Sequence, residues 1–415
     1  MNEPMPTHRG RVLVIATTFP RWPGDSEPAF VRHLSVELAK RGYDITVLAP
    51  HHKGAKRTET LDGVRVVRFP YVWPPGFQRL CYGGGILPNL KNRWSARLCL
   101  PPFLIAQFLA MGALIRKNNI ELVHSHWLIP QGFFAALWCR RYRKPYLVTA
   151  YGTDVFIALK PLISPLGRYM LAHAGAITAI STATRQALLR LVPDIDPMII
   201  PCGVDLSLFD PQQNSPSIRA RHGNPRALLL AVGRFVERKG FVYLIRAMPE
   251  ILKAYPSTKL VIAGFGPLEA ALKREAQELE LQEQVIFLVG LPSDELAKYY
   301  ATADIFLLPA IHTTDGDIEG QGIAVLEAFA SGTCVVATNV GGIPDMVKHC
   351  ETGLLIEEKS PEAIAKAVIH LLENQNLREK LAQNSRDWVL QHANWDHMAE
   401  RFAQLYDRLL SECVT

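Results

Sequence analysis

Three short stretches in the second half of the chain hold residue types that grip a phosphorylated ligand. Arg234 and Lys239 stand five apart in GRFVERKG (233–240), directly after an apolar run. Placed on a loop between a strand and a helix, they can converge on one anion. Arginine offers a planar fork to phosphate oxygens and lysine a mobile point charge. A surface pair of the same types is common, so the motif alone decides little. Gly264 and Gly266 form a second glycine turn after a strand, and close approach to a ligand or a simple tight turn would each explain Gly266. Glu319 and Glu327 stand eight apart in EGQGIAVLE (319–327). The N–H groups of Gln321, Gly322 and Ile323 fall at a helix start, an arrangement that binds phosphate. Glu327, one turn in, can accept hydrogen bonds from ribose hydroxyls. Glu319 can reach hydroxyls of the group that the phosphate carries. The apolar neighbours of Glu327 argue against a merely solvated side chain, because a buried carboxylate needs donors.

The first half contributes VHSHW (123–127), in which His124 and His126 alternate at a strand end and share a face. A zinc pair is the rival reading, and it lacks a third ligand nearby.

These residues need rigid elements to aim them. At 415 residues the chain predicts two domains. Apolar runs at 11–18, 45–50, 121–126, 145–150 and 176–181 read as buried strands, with helices between them. The pattern restarts with strands at 226–233, 259–266, 284–290, 304–310 and 333–339. Helices are expected at 29–42, 241–255, 267–281, 323–332 and 361–374. Strands alternating with helices imply parallel sheets and βαβ crossovers. The fold class is therefore α/β, with two doubly wound Rossmann-like domains that face each other across a cleft, where ligands should bind. The expected boundaries are 1–205 for the first domain, 206–225 for a linker rich in Pro, Asn, Ser and Gln, and 226–388 for the second domain. Residues 389–415 form a C-terminal helix. Its Trp395, Met398, Phe402 and Leu405 recur at three- or four-residue steps, as a packing face does.

Charge divides as the domains do. Residues 1–200 hold 25 Lys+Arg against 11 Asp+Glu, and residues 201–415 hold 20 against 28. A basic half suits an anionic substrate, an anionic membrane surface or nucleic acid, and a plain solvated surface is the alternative. The segment 98–115 (LCLPPFLIAQFLAMGALI) is 18 residues without a charge. Pro101, Pro102 and Gln107 argue against a span, which leaves a core helix or one resting on acidic lipid beside Arg79, Lys91, Arg93, Arg97, Arg116 and Lys117. Residues 1–10 are polar and predict no secretory leader. Seven scattered cysteines without a CxxC pair predict reduced thiols in a cytosolic compartment.

Together GRFVERKG, AGFGPLEAAL (263–272), EGQGIAVLEAFASG (319–332) and VGGIPDMV (340–347) resemble the large retaining glycosyltransferase family 4, the group 1 glycosyltransferases of GT-B fold. YGTD (151–154) and PCGVD (201–205) also match family blocks. The resemblance covers nearly the whole chain. It implies that Arg234 and Lys239 hold the diphosphate of a nucleotide-sugar donor, a UDP- or GDP-sugar, and neutralise its charge as it leaves. Glu327 would bind the donor ribose, Glu319 and His126 the transferred sugar, and the C-terminal helix would cross back onto the first domain. It implies no metal and no other cofactor. Asp315-Gly316-Asp317 looks like a metal motif of another glycosyltransferase fold and reads here as a loop. The basic first domain would hold a saccharide or lipid-linked saccharide acceptor in envelope or exopolysaccharide synthesis. That places a cytoplasmic protein at an anionic inner membrane face, with no nucleic-acid partner. The chain departs from the family where Tyr151 replaces a frequent His, Cys202 an Asn and Gln321 a Phe. The usual glycine-rich first loop is PRWPGDSEPAF (20–30), with its turn expected at Gly24, Asp25 and Ser26, so the phosphate contact expected of Gly24 follows a changed loop. Alternatives of other classes are a nucleotide-sugar 2-epimerase of the same fold and a non-catalytic nucleotide-sugar sensor.

Overall fold

A computed structural model describes residues 8–22, 25, 29–83 and 85–412, apart from the side chain of Asn92. The chain separates into two compact units. One comprises Met1–Ile180, Thr184–Ile200 and Trp395–Thr415, the other Ser181–Ala183 and Pro201–Asn394.

Among the described residues the first unit is built on eight strands: β1 (Gly10–Ile15), β2 (Tyr43–Pro50), β3 (Thr58–Leu61), β4 (Val64–Phe69), β5 (Leu122–His126), β6 (Tyr146–Ala150), β7 (Ala176–Ala179) and β8 (Met198–Ile199). They lie in the order β3-β4-β2-β1-β5-β6-β7-β8. All neighbours are parallel except β3 against β4. That hairpin is additional to the expected strands. Its turn is Asp62-Gly63, with φ of 49° and 81°, the left-handed pair that a two-residue hairpin requires. The central strands are apolar on both faces because both faces are covered. On one face lies the C-terminal helix Trp395–Glu412, with Met398, Phe402, Leu405 and Tyr406 buried among strand residues. Full burial of a ring such as Phe402 stabilises by about 1.5–3 kcal/mol.

The helix Trp94–Lys117 covers the other face. Cys99, Phe103, Gln107, Met111 and Ile115 are buried on its inner side. Pro101 and Pro102 lie within it and do not end it. Its outer side is apolar too: Trp94, Leu98, Ile105 and Leu109 are each 60% exposed or more. The segment is thus a core helix on one side and a bare apolar stripe on the other.

The second unit has β9 (Ala227–Val232), β10 (Thr258–Ala263), β11 (Val285–Leu288), β12 (Ile305–Leu308), β13 (Cys334–Thr338) and β14 (Leu354–Ile356). Their order is β11-β10-β9-β12-β13-β14, all parallel. The stretch 206–225 is not a free linker. Ile218 is fully buried, Phe209 packs edge-on to Tyr300, and Arg219 pairs with Asp304 at 2.8 Å. Long-range burial overrides a polar composition here. The second unit extends to Asn394, past the expected boundary at 388, because the helix Gln375–His392 packs on it through Leu381 and Val389. No disulfide joins cysteines among the described residues.

Candidate functional site

Among the parallel strands, chain order in each sheet reverses at one place, between β1 and β5 in the first and between β9 and β12 in the second. Ligands of doubly wound sheets bind beyond the carboxyl ends of strands at such a switch point. The expected site residues of the second unit lie there. β9 ends at Val232 and is followed by the loop with Arg234 and by the single turn Glu237–Lys239. β12 ends at Leu308 and is followed by the loop that carries Glu319. Lateral pairing of β9 with β12 sets the two loops side by side, and Ile311 N–H donates to the Arg238 carbonyl at 2.8 Å.

Lys239 is buried, and its Nζ lies 2.7 Å from Glu319 Oε2. Its side chain folds over Gly233, with Cε 3.1 Å from where a Cβ would stand. Arg238 binds Asp317 at 2.8 Å and approaches Glu319 to 4.0 Å. Burial pushes the Glu319 carboxyl up, but Lys239 and Arg238 together hold it below the usual carboxylate range. Glu319 is fixed from behind as well. Gly342 N–H donates to its carbonyl, and at Gly341 (φ 60°) a Cβ would sit 2.0 Å from that same oxygen. Only glycine fits there.

The helix Ile323–Ala330 starts at Gly322, whose φ of 89° makes it the left-handed cap. Gly322 N–H bonds the Glu319 carboxylate. Among the described residues no acceptor meets the N–H of Gln321 or Ile323. Glu327, one turn in, accepts a 2.6 Å bond from the Tyr300 hydroxyl. Burial pushes its carboxyl up to about 7, against the opposing pull of Tyr300 and the Lys239 charge.

Two expected contacts take a different form. The Gln321 side chain, where the family often has Phe, bonds the Cys202 backbone twice, at 2.8 and 3.1 Å. It anchors the 202 loop, which leaves only its N–H for a ligand. A Cβ on Gly266 would stand 2.6–2.9 Å from Phe235 backbone atoms, so loop packing accounts for this glycine. Gly24 lies outside the described residues. Asp317, the second acid of the Asp-Gly-Asp stretch, is neutralised by Arg238. Among the described residues no group of three or more His, Cys, Asp or Glu is placed to hold a metal ion. Arg238 and Tyr300 had no assigned role in the sequence. Arg238 sits inside the quoted motif, whereas Tyr300 is 27 residues from Glu327 and carries no local signal.

In the first unit His126 ends β5 at the switch point. It is buried, stacks on His124 at 4.2 Å, and its Nδ1 meets the Tyr151 hydroxyl at 2.5 Å. Both nitrogens of His124 are taken by hydroxyls, Tyr406 at 2.7 Å and Thr149 at 2.8 Å. His124 is thereby a structural tie to the C-terminal helix, and the zinc-pair reading loses its first ligand.

Family models match both units: "Glycosyl transferase 4-like domain" over residues 28–203 and "Glycosyl transferases group 1" over residues 214–388. The GDP-mannose-dependent alpha-(1-6)-phosphatidylinositol monomannoside mannosyltransferase of Mycolicibacterium smegmatis is 30% identical over 401 residues, covering 95% of this chain and 97% of that one. The chain belongs to the group 1 glycosyltransferases, retaining family 4. A second relative of this glycosyltransferase is the GDP-mannose-dependent monoacylated alpha-(1-6)-phosphatidylinositol monomannoside mannosyltransferase of Corynebacterium glutamicum. It is 29% identical, over 75% of this chain and 82% of that one. The sucrose-phosphate synthase of Thermosynechococcus elongatus superposes with a TM-score of 0.76 at 24% identity, covering 97% and 100%, which establishes the GT-B fold. The glycosyltransferase moves a sugar from a nucleotide-sugar donor to a saccharide acceptor. The named relatives are transferases and synthases, so the epimerase and sensor alternatives draw no support from them.

Proposed function

We propose that this glycosyltransferase moves mannose from GDP-mannose to a hydroxyl of a lipid-linked saccharide. The observation that carries the donor reading is the Lys239–Glu319 contact beside the Gly322-capped helix. It puts a cation, the N–H groups of a helix start and a carboxylate within one small volume. Similarity to GDP-mannose-dependent enzymes, over 95% of this chain for one and 75% for the other, supports the choice of donor. Arg234 and Lys239 hold the diphosphate, Glu327 the ribose and Glu319 the mannose, and the family resemblance assigns His126 of the first unit to a sugar contact. With retention and no nucleophile assigned, the acceptor oxygen bonds C1 on the face that the diphosphate leaves. The C1–O bond to phosphate breaks, and the acceptor proton passes to a phosphate oxygen. Stabilising that leaving group is the main task. The two cations supply its positive charge, so turnover should persist in excess chelator.

The donor reading is tested by thermal shift with GDP, UDP and ADP, because stabilisation rises with ligand concentration over Kd. GDP should stabilise most, and a larger shift with UDP would overturn the donor choice. The response must also follow pH. Glu327 accepts ribose hydroxyls with both oxygens, and most strongly, when ionised, and burial pushes its carboxyl up to about 7. Below that value nucleotide binding must displace a proton, so affinity falls with decreasing pH. GDP should bind roughly five- to tenfold more weakly at pH 6 than at pH 8. Glu327→Gln should remove that dependence except for the nucleotide's own titration. An unchanged pH profile in this variant would remove Glu327 from the ribose site.

The acceptor side rests on the Trp94–Lys117 helix. Trp94, Leu98, Ile105 and Leu109 fall within an arc of about 60° on its outer face, and Arg116 falls within the same arc. Arg93, Arg97, Arg116 and Lys117 are exposed at its two ends. An apolar stripe with basic ends fits an anionic bilayer surface, each inserted side chain contributing about 1.5–3 kcal/mol and each basic residue about 1 kcal/mol. By length and composition the helix could also cross a membrane, but its inner side is buried in the first unit, which favours lying on the surface at the cytoplasmic leaflet. The protein should sediment with phosphatidylglycerol vesicles at low salt and not with phosphatidylcholine vesicles. Ile105→Asp with Leu109→Asp should abolish this and leave turnover on a water-soluble acceptor unchanged. Equal sedimentation by the double variant would refute the membrane contact.

A further inference from the structure

We infer that Tyr151 fixes the tautomer of His126, so that Nε2 carries the proton and is offered as a donor to an oxygen of the bound sugar. The inference rests on the proposed assignment of His126 to a sugar contact.

Burial holds the His126 pKa down to about 3, so the ring is neutral and carries a single N–H. A neutral ring has one donor and one acceptor nitrogen, and the hydrogen bond made by one sets the role of the other. Nδ1 lies 2.5 Å from the Tyr151 hydroxyl. A phenol is the better donor and an imidazole nitrogen the better acceptor, so the proton between them belongs to tyrosine. Nδ1 is then bare and Nε2 protonated. Nε2 is buried and has no partner among the described residues. The neighbouring His124, equally buried, has both nitrogens satisfied. The contrast within one stacked pair marks His126 Nε2 as a donor awaiting a ligand.

The surroundings hold Tyr151 in place. Its N–H donates to Asp154 Oδ1 and Leu128 N–H to Asp154 Oδ2, both at 2.9 Å. One buried carboxylate thus ties the segment after β5 to the segment after β6. The rings of Phe30 and Trp127 flank the phenol at 5.0 and 5.1 Å. Trp127 itself has a φ of 73°, which a bulky residue adopts only when its surroundings impose it. Its N–H donates to the Thr149 carbonyl, and its carbonyl accepts from the Ser125 hydroxyl.

Tyr151 is therefore a positioning residue, tested on the full-length enzyme labelled with 15N-histidine. Long-range proton–nitrogen correlation should show His126, identified through His126→Gln, with Nε2 protonated and Nδ1 bare. In Tyr151→Phe the ring should shift toward the other tautomer. Its kcat should fall about tenfold to a hundredfold, with donor KM within about twofold. An Nδ1-protonated His126 in the native enzyme overturns the inference. Unchanged kcat in Tyr151→Phe, with His126→Ala impaired, overturns it alone. Unchanged kcat in His126→Ala removes His126 from the sugar site and the inference with it.

Discussion

Replacing Lys239 by methionine is expected to lower kcat/KM about 10²–10³-fold, the usual effect of removing one group aimed at developing charge. Methionine keeps the stem and removes only the cation. The loss should fall on kcat more than on donor KM, because negative charge on the diphosphate grows as the C1–O bond breaks. A second effect comes from the free enzyme. Lys239 is the 2.7 Å partner of Glu319, and both side chains are nine-tenths buried. Removing one member of a buried pair typically destabilises by about 3–5 kcal/mol. Arg238, at 4.0 Å, remains to hold part of the Glu319 charge, so the lower end applies. The two effects separate in the double variant Lys239→Met with Glu319→Gln. Its Tm should recover toward the native value while kcat stays low. A kcat/KM within threefold of native in Lys239→Met would show that the diphosphate is gripped elsewhere.

The parts of this site that were legible in the sequence are those set by local chain geometry. Lys239 and Arg234 share one strand–helix loop, and Glu319 and Glu327 flank one helix start. Their roles follow from loop glycines and helix ends within a dozen residues. The pairing of Lys239 with Glu319 spans 80 positions and exists only because β12 lies beside β9. No periodicity encodes that neighbour. The Tyr151–His126 contact has the same origin. β5 and β6 pair with His126 opposite Thr149, which brings the residue two further on over the imidazole. The fold itself was legible because parallel sheets covered on both faces leave continuous apolar runs. The hairpin of β3 and β4 escaped despite its Asp62-Gly63 turn, because β3 (TETL) carries one apolar residue and Arg65 and Arg68 interrupt the apolar run of β4 (VRVVRF). Residues 206–225 misled in the other direction. Their polar composition hides three anchors, Phe209, Ile218 and Arg219, whose partners Tyr300 and Asp304 are about 80–90 positions away.

Glu319→Gln should lower turnover about a hundredfold and yet tighten GDP binding about tenfold. In the free enzyme the carboxylate occupies Lys239, so an arriving diphosphate meets a cation already paired and an anion close by. Glutamine keeps the shape and removes the anion. Two unit charges 4 Å apart interact by about 4 kcal/mol at an effective dielectric of about 20. Relief of only a third of that, about 1.4 kcal/mol, is a tenfold change in Kd. Asp317 cannot take over the role, because Arg238 already binds it. Turnover falls for a separate reason. The transferred sugar loses a charged acceptor for its hydroxyls, and the reaction then ends in a more tightly held product. Because Lys239 and Arg238 keep the Glu319 pKa below the usual carboxylate range, the carboxylate stays ionised through the neutral range. The gain in GDP affinity should therefore be the same at pH 6 and pH 8, unlike the pH-dependent contribution of Glu327. Calorimetric titration with GDP measures it directly. Weaker binding in the variant would mean that Glu319 supports the diphosphate rather than competing with it for Lys239.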